Sequence, residues 1–477
     1  MIQKAGIVNT ELQEQQKRVV QKLMHDNLLI AHGMGSGKTL SSIAAADALG
    51  LPVDILTPAP LVENYKKEIL KHTKNTLKNV HVRSISQAAQ RGYQVDPGGF
   101  LVVDEAHAAR NPESKRSKYL LEQAKRAGRV ALLTGTPTYN DVSDISALMN
   151  ILHQRQVLPT TKGDFYKEYV EDKSVSPGIW GWVRGVKPGV KQVLKHKKEL
   201  HKILKDHVDI YSRSEGMPEK REEVVDVEMS PKQMDMYKFV EGTMPWWLRY
   251  KIRNNLPPNK AEARNMNAFL SGVRQVSNTP GAFIEGTPPL ERAIMSPKLT
   301  RAAGEIQRRY TSDPNFRGFV YSNFKDSGVL PMSSLLDRMK IPNAIVHGGL
   351  TMRQKKDVVN GYNEGKIKVL LGTSAATEGF DLKGTKLVQI LEPHFNNAKL
   401  NQAIGRGIRY KSHEHLPPEE RNVTVQRFHS QPNRGNLVTK ILHGQESGVD
   451  KWMHSRAAEK EGLMDELGSL MEAESTN

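Results

Sequence analysis

Short apolar runs alternate with amphipathic stretches in two separate parts of the chain. In the first part, Leu28-Leu29-Ile30-Ala31 reads as a buried strand, and Thr39-Leu40-Ser41-Ser42-Ile43-Ala44 opens a helix. Val53-Asp54-Ile55-Leu56-Thr57-Pro58 repeats strand and turn, and Leu61 to Ile69 reads as a helix. Phe100-Leu101-Val102-Val103 and Arg129-Val130-Ala131-Leu132-Leu133 give two further buried strands. Ahead of all of these, Thr10 to Val20 has the pattern of an amphipathic helix with Thr10 placed to cap it. The second part repeats the alternation with Phe319-Val320-Tyr321, Ala344-Ile345-Val346, Lys368 to Gly372 and Leu387-Val388-Gln389-Ile390. Strands that are apolar throughout, separated by helices, predict parallel sheets covered on both faces. The fold class is therefore α/β, with two tandem doubly wound parallel-sheet lobes.

From about Asn150 to Ser296 the pattern changes to charged helical segments broken by Pro and Gly, which predicts a helical insertion. It holds Trp180, Trp182, Trp246 and Trp247, residue types that more often pack than stack on bases. The Lys- and His-rich run from Lys187 to Lys205 fits either a phosphate-binding groove or a solvated helix face. The boundaries that follow are a first lobe at 1–152, an insertion and inter-lobe segment at 153–295, a second lobe at 296–445 and a C-terminal helix at 446–477.

Charge adds a partner class. With 69 Lys and Arg against 52 Asp and Glu, the chain carries +17, a surface that favours a polyanion, most often nucleic acid. No cysteine is present, which excludes disulfides and thiolate metal sites, and the scattered histidines show no ligand spacing. No run is long and apolar enough for a membrane span, and the first residues lack the apolar core of a signal peptide. A soluble, intracellular protein with no membrane partner is expected.

Chemistry concentrates at the predicted strand ends. Ala31-His32-Gly33-Met34-Gly35-Ser36-Gly37-Lys38-Thr39 is a glycine-rich strand-to-helix turn, with His32 where the first glycine of the full phosphate-loop pattern would stand. In such a turn, backbone N–H groups converge on phosphate oxygens at the positive end of the helix. Lys38 then reaches the β- and γ-phosphates, and Thr39 offers its hydroxyl to Mg²⁺. Asp104 and Glu105 end a buried strand in Asp104-Glu105-Ala106-His107, where Asp104 can hold Mg²⁺ and Glu105 can orient the attacking water. In the second lobe, which has no phosphate loop, Arg406 and Arg409 share one helix face and suit the role of arginine fingers.

The ordered set of Gln16, GSGKT, Thr57-Pro58, DEAH, Thr134-Gly135-Thr136-Pro137, Ser322-Asn323, Thr377-Glu378-Gly379-Phe380-Asp381 and Gln402-Ala403-Ile404-Gly405-Arg406-Gly407-Ile408-Arg409 resembles the successive motifs of superfamily-two helicase-like ATPases. Within that superfamily the chain resembles the Swi/Snf-type DNA translocases across nearly its whole length. Met217 to Val224 with Met229 to Tyr237, Gly272 to Pro280 with Ser296 to Leu299, and Gly448 to Lys460 are similar to that group's inter-lobe, second-lobe and closing-helix segments. Ile404 to His413 is closer to ATPases of large DNA viruses and phages, and no chromatin-reading module is attached.

The resemblance implies two RecA-like lobes and a bracing C-terminal helix, with ATP and Mg²⁺ as ligands. The nucleotide would be held by Gln16, Met34, Gly35, Ser36, Gly37, Lys38 and Thr39, with Gly379 and Asp381 from the second lobe. Asp104, Glu105, His107, Gln402, Arg406 and Arg409 would be catalytic, and Thr39 and Asp104 the metal ligands. Thr57, Pro58, Ser322, Asn323, Gly372 and Thr373 would grip the nucleic-acid backbone, and Thr134, Gly135 and Thr136 would couple the two sites. The activity implied is a monomeric, DNA-stimulated ATP hydrolase that translocates on duplex DNA without reading sequence, in the host-cell cytoplasm if the chain is viral. A strand-separating DNA helicase is the alternative, and an RNA helicase or an inactive nucleic-acid-binding scaffold ranks below both.

Overall fold

The computed structural model describes residues 10–33, 36–73, 79–135, 141–211, 218–373, 382–394, 404–405, 412–433 and 447–472. In chain order the strands are β1 (Leu28–His32), β2 (Val53–Thr57), β3 (Val80–Ser84), β4 (Phe100–Val103), β5 (Arg129–Thr134), a two-stranded pair β6 (Val170–Val175) and β7 (Gly189–Leu194), and β8 (Val208–Tyr211). They are followed by β9 (Glu219–Glu228), β10 (Gly318–Tyr321), β11 (Asn343–Val346), β12 (Val369–Gly372), β13 (Leu387–Ile390) and β14 (Asn422–Gln431). The chain divides into two compact units, one of residues 1–171, 192–214 and 462–477, the other of 172–191 and 215–461.

The first unit is built on a six-stranded sheet of order β3-β2-β4-β5-β1-β8, parallel at every pairing. Side chains alternate along each strand, so one buried strand feeds two cores. Leu28, Ile30, Phe100, Val102, Ala131 and Leu133 join the helix residues Val19, Leu23 and Ile43 on one face. Leu29, Leu101, Val103, Val130 and Leu132 face the other, with Leu120, Leu148, and Leu463 and Leu467 from the last turns of the chain. The first helix begins at Glu14, not beside Thr10. Gln16 Oε1 accepts from the backbone N–H of Gln13 at 2.9 Å, which caps this end, while the Thr10 hydroxyl pairs with His72 Nδ1 at 2.7 Å.

The second unit carries its own six-stranded parallel sheet, of order β11-β12-β10-β13-β14-β9. Phe319, Tyr321, Leu370, Val388 and Ile390 pack on one face, and Val320, Val369, Leu371 and Leu387 on the other. A third, helical core gathers Tyr237, Leu248, Ile252, Val273 and Val276 around Val449, Trp452 and Met453.

The segment 153–295 is helical only in part and forms no body of its own. It supplies β8 to the first sheet, beside β1, and β9 to the second, beside β14. The hydrophobic pattern hid β9 because an edge strand buries little. Its sequence, Glu-Lys-Arg-Glu-Glu-Val-Val-Asp-Val-Glu, is almost wholly exposed and pairs through polar contacts such as Glu222 with Arg427 and Asp226 with Gln431. Among the described residues, no helix is long and apolar enough to cross a membrane.

Candidate active site

In the first unit the functional groups collect where the strands end, at the C-terminal edge of the parallel sheet. β1 runs into Gly33, whose N–H donates to Tyr211 O on β8 at 3.0 Å, and the helix Lys38–Leu49 begins five residues later, behind Gly37. Gly37 sits at φ +80°, a conformation that favours glycine, and a Cβ there would lie 2.2 Å from Gln16 Nε2, so any side chain would have to displace the end of Gln16. Gln16 thus lies over the phosphate-loop backbone, and its Nε2 donates to Ser36 O at 3.4 Å. The Ser36 hydroxyl closes the loop onto Gly33 O at 2.7 Å. Lys38 Nζ donates to the loop carbonyls of His32 and Gly33, at 2.7 and 3.1 Å. Burial pushes the Lys38 ammonium below its usual range, against the charges of Glu105 and Asp104.

Those two carboxylates stand at the end of β4. Asp104 accepts from the Thr57 hydroxyl at 3.0 Å through one oxygen and from the backbone N–H of Glu105 at 3.0 Å through the other. Burial, reinforced by the Glu105 charge, raises its pKa despite these bonds. Glu105 adopts the left-handed region at φ +49°, an uncommon state for a side-chain-bearing residue. A hydrogen bond with His107, 3.1 Å from Nδ1 to Oε2, holds its carboxyl below the usual range against burial. The same Nδ1 lies 3.5 Å from the Thr134 hydroxyl at the end of β5, so the DEAH and TGTP stretches are in contact.

A group that sequence reasoning missed supports the loop from beneath. Asp209 on β8 is fully buried and accepts from His32 Nε2 at 2.6 Å, from Arg18 Nε and Nη2 at 2.8 and 2.9 Å, and from Lys22 Nζ at 3.2 Å. Burial opposes its ionisation, but the hydrogen bonds from His32 and Arg18 and the charges of Arg18 and Lys22 outweigh burial and hold it well below the usual carboxylate range. His32, in place of the motif's first glycine, is therefore one end of a hydrogen-bonded network around Asp209 that joins β1, β8 and the first helix. The single signal in sequence was an acidic residue inside the apolar run Val208-Asp209-Ile210-Tyr211.

Two expectations need correction. Thr57 and Ser322 were expected on a nucleic-acid backbone, but both are fully buried with their hydroxyls engaged. Thr57 orients Asp104, and Ser322 lies against the buried Glu392 at 2.9 and 3.1 Å. Glu392 also accepts from Asn323 N and Nδ2 and from Asn278 Nδ2, so Ser322-Asn323 is tied to a buried carboxylate of the second unit. Gly372 ends β12 and accepts from Ser322 N–H at 3.1 Å, and Thr373 N–H donates to Val346 O at 3.3 Å. Pro58, Asn323 and Thr373 keep partial exposure. Met34, Gly35, Thr136, Gly379, Asp381, Gln402, Arg406 and Arg409 lie outside the described residues.

The SNF2-related domain family matches residues 84–282, and the helicase conserved C-terminal domain family matches residues 301–411. The chain is 27% identical over 433 residues to a candidate ATP-dependent RNA helicase of Acanthamoeba polyphaga mimivirus, a match covering 87% of this chain and 88% of the relative. It is 24% identical over 537 residues to the termination factor NPH-I homologue of African swine fever virus, covering 93% and 75%. Among solved structures, the Hef helicase domain of Pyrococcus furiosus has the same fold, with a TM-score of 0.50 at 14% identity over 87% of this chain and 95% of that one.

Proposed function

As a superfamily-two helicase-like ATPase of the Swi/Snf type, this chain is an ATP-hydrolysing enzyme, and we propose that it is a nucleic-acid-stimulated motor that moves along double-stranded DNA and displaces what is bound there. The observation that carries the chemical half of this reading is the hydrogen-bonded series Thr57–Asp104–Glu105–His107–Thr134, which stands within electrostatic reach of Lys38.

Lys38 exchanges its loop carbonyls for the β- and γ-phosphates when nucleotide enters, and the backbone N–H groups that open the following helix face the same anion. Gln16, held above Gly37, fits an adenine contact. Asp104 and Thr39 fit a divalent cation: a buried carboxylate beside a second carboxylate carries negative charge that its neighbours leave under-compensated. Mg²⁺ bound there supplies neutralisation of the developing phosphate charge. Glu105 remains ionised because His107 holds it, and it accepts a hydrogen bond from the attacking water. The water oxygen bonds to the γ-phosphorus as the bond to the β–γ bridging oxygen breaks, giving ADP and phosphate. His107, in contact with Thr134, carries the state of that carboxylate to the TGTP turn.

The net charge of +17 supports a polyanionic track, and backbone contacts make binding independent of sequence. The test is steady-state ATP hydrolysis at low salt with no nucleic acid, duplex DNA, single-stranded DNA or RNA, with Glu105→Gln as the blank. Stimulation by duplex alone is expected. Preference for a single strand moves the reading to a strand-separating helicase, and preference for RNA removes DNA as the track. Lys38→Ala and Glu105→Gln lower turnover by roughly 10³-fold or more while DNA binding persists, and wild-type turnover in either variant would falsify the site.

A further inference from the structure

The two tryptophans expected to pack are instead displayed. In the short helix Gly178–Val183, Ile179 is 81% exposed, Trp180 74%, Trp182 63% and Val183 74%. Water solvates such a cluster poorly, and contiguous apolar surface of this kind marks an interaction site.

The backbone beneath it is fixed. Pro177, Gly181 and Val186 are buried, Tyr250 Oη donates to Pro177 O at 3.2 Å, and Val186 N–H donates to Gly181 O at 2.9 Å. A Cβ on Gly181 would meet Pro177 at 2.6 Å and the Tyr250 hydroxyl at 3.1 Å. The close approach therefore turns the small residue inward and the indoles outward. Past the helix, Val190 N–H donates to Pro258 O at 3.2 Å. The element is thus a rigid mount for two indoles and two branched aliphatic side chains.

Charge selects the occupant. From Lys173 to Lys191 every charged side chain is basic, namely Lys173, Arg184, Lys187 and Lys191, and all four are exposed; the acidic Glu171 and Asp172 lie just before them on β6, on the far side of Lys173 from the tryptophans in sequence. Exposed indoles followed along the chain by basic side chains match the alternation of bases and phosphates in a nucleic acid, whereas protein-docking patches are depleted of charge at the core. Flush base pairs in a duplex show their edges, not their faces, so the rings need unpaired bases or an opened base step.

We propose that the 173–191 element binds unpaired nucleic-acid bases at a strand junction, with Trp180 and Trp182 stacking on the bases and the four basic side chains holding the adjoining phosphates. The proposal rests on the reading of the chain as a nucleic-acid motor, and it adds a contact that a motor confined to paired duplex would lack.

The experiment uses the full chain, wild type and Trp180→Ala/Trp182→Ala, with labelled oligothymidine, a forked DNA carrying 2-aminopurine in its single-stranded arm, and a blunt duplex. Oligothymidine quenches the intrinsic tryptophan fluorescence of the wild type. The double variant loses that quenching and binds the single strand and the fork roughly tenfold more weakly, while its affinity for blunt duplex stays within about twofold. Trp180→Phe/Trp182→Phe recovers most of the loss, and ATP hydrolysis without nucleic acid is unchanged in all variants. Equal binding of oligothymidine and fork by wild type and the alanine variant overturns the proposal and leaves the patch to a protein partner. Absence of any nucleic-acid stimulation of ATP turnover in the wild type sinks the motor reading separately, because the binding comparison is read without ATP.

Discussion

Two glycines in left-handed backbone show how much a single position can owe to function. Gly37 and Gly50 bracket one helix, at φ +80° and +65°, yet a Cβ on Gly50 meets nothing within 4 Å and one on Gly37 lands 2.2 Å from Gln16 Nε2. Gly50→Ala is expected to cost about 1 kcal/mol of stability from backbone strain and to leave nucleotide affinity unchanged. Gly37→Ala adds a clash that displaces Gln16 or the loop, and a fluorescent ATP analogue should bind it at least about tenfold more weakly. Equal affinities in the two variants would mean that Gln16 does not shape the nucleotide site. Asp209 gives a second residue-scale expectation. Its folded pKa is depressed, so its contribution is complete above the unfolded value of about 3.9 and is lost as pH falls through the folded value. Asp209→Asn should lower the unfolding free energy at neutral pH by about 3 kcal/mol and flatten the dependence of the urea midpoint on pH below about 5. An unchanged acid limb would show that the network is not formed in solution. Lys38, Thr39, Asp104 and Glu105 were nameable as candidates in sequence because phosphate chemistry accepts few residue types at fixed offsets. Asp209 was not, because its partners Arg18, Lys22 and His32 are far away in the chain and their own pattern suggested a solvated helix face and a loop.

At the scale of elements, apolar runs announced eight strands, β1, β2, β4 and β5 of the first sheet and β10, β11, β12 and β13 of the second; β3, β8 and β9 lie at sheet edges, where polar residues are tolerated, and β14, beside β9, carries polar residues along its length. The second unit shows why polar residues at strand ends mislead. The helix beginning at Pro297 is capped by Ser296, whose Oγ accepts from Leu299 N–H at 3.0 Å, and a lysine in such a first turn would ordinarily be solvated. Lys298, however, is fully buried and donates to Asp450 Oδ2 at 2.7 Å, Asn278 Oδ1 at 3.0 Å and Leu391 O at 2.9 Å. Asn278 passes the network on to Glu392 and thence to Ser322. Asp450→Ala leaves a buried ammonium without its counter-charge, held only by two neutral acceptors, and should destabilise the chain by about 3–5 kcal/mol in urea unfolding. Lys298→Met combined with Asp450→Leu removes both charges and should recover most of that loss. If the double variant were as unstable as Asp450→Ala, the cost would lie in packing rather than in the unpaired charge.

For the whole molecule, the charge of +17 and the aromatic patch make separable demands on nucleic-acid binding. Phosphate contacts release counterions, so the logarithm of the binding constant falls linearly with the logarithm of salt concentration, by roughly 0.7 per contact on a single strand. Stacking releases none. Trp180→Ala/Trp182→Ala should therefore lower affinity for oligothymidine by the same factor at every salt concentration, displacing the line without tilting it. Arg184→Ala/Lys187→Ala should make the line shallower by about 1 to 1.5, so that its deficit shrinks as salt rises from about 50 to 200 mM. Titrating both variants and the wild type over that range separates the terms. Parallel lines for all three would place the phosphate contacts elsewhere on the basic surface, and a shallower line for the tryptophan variant would mean that losing the indoles also unseats the basic side chains around them.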